Sequence, residues 1–245
     1  MRLLIAGSIF IALIFMPASI LSAEPVSGAK EGIGSIGTDN YANKKLEYYY
    51  YIPAAVGEAK DRKYPLLVVI PGLSGRGENS VTQEFKDFAQ KEKFIIIAPS
   101  FMYDENNWES QKSYQYPAAW SGAALIKIVN KMKEESGVRI SYFYLFGHSA
   151  GAQFALRFCL WRPDLCAACA AHASGGSVKA AKNAYVRFFV TVGKQDTSRI
   201  KNMQEFYESA KRCGMSVKYK EYDGVGHELS AAQIKDSLEF FKEKH

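Results

Sequence analysis

Residues 143–151 read Phe-Tyr-Leu-Phe-Gly-His-Ser-Ala-Gly. An apolar run ends in Gly-x-Ser-x-Gly and passes straight into a helical pattern from Ala150 to Trp161. A strand, a sharp turn and a helix are the setting in which this motif presents a nucleophile. Such a turn holds the serine in a strained backbone conformation. Gly147 and Gly151 leave room because neither carries a Cβ. The hydroxyl of Ser149 then stands at the end of a strand, above the N-terminus of a helix. Ser149 is the candidate nucleophile, weighed against an ordinary strand-to-helix turn.

Working outward, apolar runs at Leu66–Ile70, Phe94–Ala98, Tyr142–Phe146, Leu165–Ala173, Val186–Val192 and Val217–Tyr222 read as strands. Several are continuously apolar, as in parallel strands covered on both faces. Helical spacing lies between them at Val81–Lys93, Trp120–Glu135, Ala150–Trp161, Ile200–Cys213 and Ala231–Lys242. The Tyr-rich run Lys45–Ile52 is a further strand by propensity. This alternation predicts an α/β fold with a mostly parallel central sheet and helices on both faces. Loops at the carboxyl ends of its strands gather on one edge, where ligands bind.

Three of those loops carry Ser149, Asp196 and His227, in that chain order. A serine hydroxyl is a poor nucleophile until a base takes its proton. An imidazole can take that proton and return it to the leaving group. A carboxylate fixes the imidazole's tautomer and stabilises the imidazolium. Of the four histidines, His148 adjoins the nucleophile and should point elsewhere, and His245 is terminal. His172 lies near a strand exit, where a titrating role competes with a packed or rim position. His227 is therefore the candidate base. Asp196 is the favoured acid, with Asp223 as its rival on the His227 loop.

Acyl transfer builds negative charge on the carbonyl oxygen, which preorganised backbone N–H groups stabilise. Ala150 should supply one donor. The loop Pro71-Gly72-Leu73-Ser74-Gly75-Arg76-Gly77 should supply the other, from Leu73 or else Ser74. Residues 100–117 lack periodicity and are aromatic, and a loop of this length is often functional. Trp108, Tyr114 and, just beyond, Trp120 are candidates for a substrate wall; the competing reading has these rings pinning the loop to the body.

The chain has 245 residues and a formal net charge of +6. Its lysines are scattered rather than clustered, which suits a solvated surface and gives no nucleic-acid signature. Met1-Arg2, the apolar run to Met16, Pro17 and Leu21-Ser22-Ala23 read as a signal peptide over residues 1–23. Residues 24–44 read as a linker leading into a hairpin, and 45–245 as the catalytic domain. A secreted or periplasmic protein follows, with no stable membrane insertion once the signal is removed. Export permits disulfides. For Cys159, Cys166, Cys169 and Cys213, buried thiols or one structural disulfide are the alternatives. Metal-ligand spacing is not evident, so neither a metal nor a cofactor is expected.

Leu66 to Gly72, Gly147 to Gly151, Arg162-Pro163-Asp164, Gly193 to Asp196 and Gly226-His227 together resemble α/β-hydrolases. The closest likeness is to the secreted esterase and polyhydroxybutyrate-depolymerase-like branch, which includes feruloyl and acetylxylan esterases. It covers roughly residues 45–242. The resemblance implies an α/β-hydrolase fold and a serine carboxylic-ester hydrolase working through an acyl-enzyme. The short link from Gly176 to Val186, where such enzymes insert a lid, implies no lid domain and an open site. Pro71 departs from the histidine that many relatives carry before the oxyanion-loop glycine. The substrate would be a small or polymer-linked ester. Alternatives are a peptidase or amidase of the same fold, or a non-catalytic binding protein on this scaffold.

Overall fold

The computed structural model describes residues 28–38, 45–56, 62–73, 75–101, 113–182 and 184–243. The expected signal peptide, Ser74 and Trp108 lie outside them. Among the described residues eight strands form one sheet: β1 (Lys30–Gly37), β2 (Lys45–Ile52), β3 (Lys63–Ile70), β4 (Ile95–Pro99), β5 (Arg139–His148), β6 (Cys166–His172), β7 (Arg187–Gly193) and β8 (Val217–Tyr222). Their order is β1-β2-β4-β3-β5-β6-β7-β8. β2 pairs antiparallel with β1 and β4, and every other pairing is parallel.

Helices cover both faces, as the alternation of elements requires. α2 (Gly122–Ser136), α3 (Ala150–Trp161) and α4 (Thr197–Arg212) pack with Leu66, Val68 and Ile70 of β3 in one core. α1 (Gln83–Glu92) and α5 (Ala231–Lys242) pack with Leu67 and Val69 in the other. The period of two along β3 sends its side chains to the two layers in turn. β6 breaks this parity. Its register against β5 shifts between Phe143 and Tyr144, so Cys166, Cys169 and Ala171 face one core and Ala168 and Ala170 the other. The small residues of β6 leave room for Phe154 and Phe158 of α3, which stack with ring centroids 5.6 Å apart. All four cysteines are free thiols; burial pushes that of Cys159 well above its ordinary value.

β1 extends the sheet into the stretch read as a linker. Its sequence, Lys-Glu-Gly-Ile-Gly-Ser-Ile-Gly, has the glycine content of a loop. The glycines instead make room for tyrosines on β2. A Cβ on Gly34 would lie 2.4 Å from the Tyr48 ring, and one on Gly32 3.0 Å from the Tyr50 hydroxyl oxygen. Among the described residues no helix is long and apolar enough to cross a membrane.

Candidate active site

Ser149 sits between β5 and α3 with φ 56° and ψ −118°, a backbone conformation that costs a non-glycine residue about 1–3 kcal/mol. Its surroundings hold it there. The Ser149 N–H donates to the His172 carbonyl at 2.9 Å, and its own carbonyl accepts from Ala152 at 3.1 Å. The flanking glycines are required by close backbone approach. A Cβ on Gly147 would lie 2.4 Å from the Gly151 carbonyl oxygen, and one on Gly151 2.3 Å from that of Ile70.

The structure brings Ser149, Asp196 and His227 together. Ser149 Oγ lies 3.0 Å from His227 Nε2, and His227 Nδ1 lies 2.6 Å from Asp196 Oδ2. An ionised carboxylate only accepts hydrogen bonds, so Nδ1 carries the proton and Nε2 is left to accept from the serine hydroxyl. The Asp196 side chain is 4% exposed and that of His227 40%. The Asp196 carboxylate is thus shielded while the His227 ring faces the solvent edge. Asp196 Oδ1 accepts from Ser198 Oγ at 3.1 Å. The rival Asp223 is excluded by position: its side chain is 87% exposed and pairs with Lys194 at 2.7 Å.

Two loops hold Asp196 against His227. Gln195 N–H donates to the Val225 carbonyl at 2.9 Å. A Cβ on Gly193 would come within 2.1 Å of that same oxygen, so only glycine permits the approach. Beyond His227, a capping box starts α5. Ser230 Oγ accepts from the Gln233 backbone N–H, and Gln233 Oε1 accepts from that of Ser230.

Gln233 also reaches a buried network that decides the role of His172. Ser237 Oγ donates to the Gln233 carbonyl at 2.7 Å, so it accepts from His172 Nε2 at 3.0 Å. His172 Nδ1 then accepts from Thr191 Oγ1 at 2.6 Å, which itself accepts from Gln233 Nε2 at 3.0 Å. Both ring nitrogens are satisfied by a neutral imidazole. Burial, then repulsion from His148, pushes the His172 pKa down to about 3. His172 is a packed structural residue.

His148 corrects an expectation. It does not point away from the site: its ring centroid lies 5.0 Å from that of His227. Its Nε2 is buried with no hydrogen-bond partner among the described residues. Desolvation, then the neighbouring His227, lowers its pKa to about 4, so it packs against His227 as a neutral ring. Strand parity carries the signal for this, since His148 pairs in register with the buried His172.

The loop after β3 runs beside Ser149. A Cβ on Gly72 would lie 3.9 Å from that of Ser149, and a turn closes from Gly75 N–H to the Gly72 carbonyl at 3.1 Å. This puts Leu73, 41% exposed, beside the Ser149 hydroxyl's end of the sheet. Ala150 opens α3, where the first amides have no intrahelical acceptor.

Tyr114 and Trp120 are not an exposed substrate wall. Tyr114 is 2% exposed and stacks on Phe101 at 5.1 Å; Trp120 packs edge-on to the same ring. Their apolar area is used in the core. The Tyr114 hydroxyl instead braces the Gly-rich loop, lying 3.2 Å from the Pro71 carbonyl oxygen and 3.0 Å from that of Gly72. Trp108 lies outside the described residues. Among the described residues no cluster of His, Cys, Asp or Glu side chains could hold a metal ion.

With this geometry in hand, the comparisons with known proteins are specific. The profile of the dienelactone hydrolase family matches residues 52–239, from the end of β2 to within α5. The chain belongs to the dienelactone hydrolase family. This family membership places it among hydrolases. Solved structures share the fold at low identity. A poly(3-hydroxybutyrate) depolymerase from Bordetella parapertussis is 18% identical, with a TM-score of 0.64 over 86% of this chain and 90% of that one. A ferulic acid esterase from Anaeromyces mucronatus is 18% identical, at 0.65 over 88% and 90%. An S-formylglutathione hydrolase from Agrobacterium tumefaciens is 14% identical, at 0.67 over 91% and 96%. No curated protein matches the chain.

Proposed function

We propose that this protein is an exported serine hydrolase that cleaves carboxylic esters through an acyl-enzyme on Ser149. The observation that carries the reading is the hydrogen-bonded chain from Ser149 Oγ to His227 Nε2 at 3.0 Å and from His227 Nδ1 to Asp196 at 2.6 Å. As Ser149 attacks, Nε2 takes its proton, and the shielded Asp196 carboxylate stabilises the imidazolium that forms. His227 then protonates the departing alcohol, and water repeats the sequence on the acyl-enzyme. The backbone N–H groups of Leu73 and Ala150 receive the oxyanion. Support comes from membership of a hydrolase family and from a fold shared with a depolymerase and an esterase. Export rests on residues 1–23, and the mature chain begins near Glu24. Purified mature protein hydrolyses p-nitrophenyl butyrate in this account, and Ser149→Ala lowers kcat by more than about 10³-fold. Turnover of aminoacyl p-nitroanilides with none of esters would replace the esterase reading with an amidase. Full ester activity in Ser149→Ala would end the nucleophile assignment.

A further inference from the structure

Gln153 stands out on α3. The other residues that this helix buries are apolar or glycine, yet Gln153 is only 4% exposed. Its side-chain amide makes no hydrogen bond to the described residues. An amide with no partner among those residues can take a ligand's polar group instead. Two glycines lie against it. Gly175 and Gly176, in the loop leaving β6, are partly exposed. A Cβ on Gly175 would lie 2.8 Å from Gln153 Nε2, and one on Gly176 2.9 Å from Oε1. Neither glycine has a positive φ, so the backbone itself does not demand them. What glycine supplies at both positions is room for the Gln153 amide to lie directly against the loop backbone.

That contact borders the reacting centre. The Cβ position of Gly175 is also 4.0 Å from the Ala150 backbone nitrogen, and Gly175 N–H approaches the Ser149 carbonyl at 3.4 Å. We propose that Gln153 is a specificity-determining residue whose amide hydrogen-bonds a hydroxyl or carbonyl group carried beside the scissile ester. An amide both donates and accepts, so it suits a hydroxyl that does the same. The inference rests on Ser149 being the nucleophile. A plain alkyl ester leaves the amide unpaired, and a hydroxylated one satisfies it.

Two matched ester pairs test this. The acyl pair is p-nitrophenyl butyrate and p-nitrophenyl 3-hydroxybutyrate; the alcohol pair is ethyl butyrate and 2-hydroxyethyl butyrate. The wild type prefers the hydroxylated member of one pair, and that pair tells which side of the ester the amide reads. Gln153→Met keeps the side-chain length and lowers the kcat/KM preference by about five- to tenfold, the size of one lost neutral hydrogen bond. Gly175→Ala sets a methyl group against the amide without altering α3 and lowers the same preference. A wild type indifferent within both pairs overturns the inference, as does a preference unchanged in both variants. Fluorophosphonate labelling separates the two levels. A wild type labelled at Ser149 with an unchanged preference removes the Gln153 role alone. No labelling at Ser149 removes the site reading, and this inference with it.

Discussion

His172 makes the fold sensitive to mild acid, and the effect can be worked from the structure. The ring is fully buried and accepts at Nδ1 from Thr191 while donating at Nε2 to Ser237. Its folded pKa lies near 3, against about 6.5 in an unfolded chain. The unfolded state therefore binds the proton first. Above about pH 7 neither state is protonated and the group is neutral in its effect. As pH falls from about 6.5 toward 3, stability is lost at up to about 1.4 kcal/mol per pH unit, which comes to about 2 kcal/mol between pH 7 and pH 5. His148, depressed to about 4, acts in the same sense. The lowered carboxylates Glu31, Glu78, Asp164 and Asp236 titrate below this window. Equilibrium urea unfolding at pH 7 and pH 5, followed by tryptophan fluorescence, measures the loss. In His172→Gln the stability at pH 7 falls because the network is broken, but the drop from pH 7 to pH 5 shrinks by about 2 kcal/mol. An unchanged pH dependence in that variant refutes the reasoning, because His172 would then titrate alike in both states.

Further outcomes follow from the site. Asp196→Asn lowers kcat by about 10³–10⁴-fold by favouring the wrong His227 tautomer, whereas Asp223→Asn, at an exposed ion pair, leaves ester hydrolysis within about twofold; steady-state kinetics on p-nitrophenyl butyrate distinguish the two acids. Tyr114→Phe frees the Pro71 and Gly72 carbonyls, so kcat falls about tenfold with KM little changed and stability drops by about 1 kcal/mol. Gly151→Ala drives a methyl group into the Ile70 and Pro71 carbonyl oxygens, which cannot move without displacing β3. Soluble yield and circular dichroism should show a protein that is misfolded or more than about 3 kcal/mol less stable.

The central sheet was legible because its strands are buried on both faces and read as unbroken apolar runs, Leu66–Ile70 and Ile95–Ala98 among them. The meeting of Ser149, Asp196 and His227 was legible because each follows such a run and the loops after parallel strands gather on one edge. β1 was hidden by glycines whose purpose, clearing Tyr48 and Tyr50, exists only across the strand pair. Tyr114 and Trp120 misled for a related reason. An aromatic residue in a long loop looks the same in sequence whether it faces a ligand or Phe101. The orientation of His148 depended on strand parity carried through the β5–β6 register, and the setting of the Gln153 amide on two glycines well downstream in the chain.

The claim that Ser149 attacks a carbonyl is tested most directly by trapping the product of that attack. The mature enzyme is quenched in acid during turnover of p-nitrophenyl butyrate, digested, and the peptide containing residues 143–157 is weighed. A butyryl group on Ser149, absent from the Ser149→Ala protein, is the result this account predicts. Turnover with no acyl group on that peptide, or with the acyl group on another residue, would contradict it.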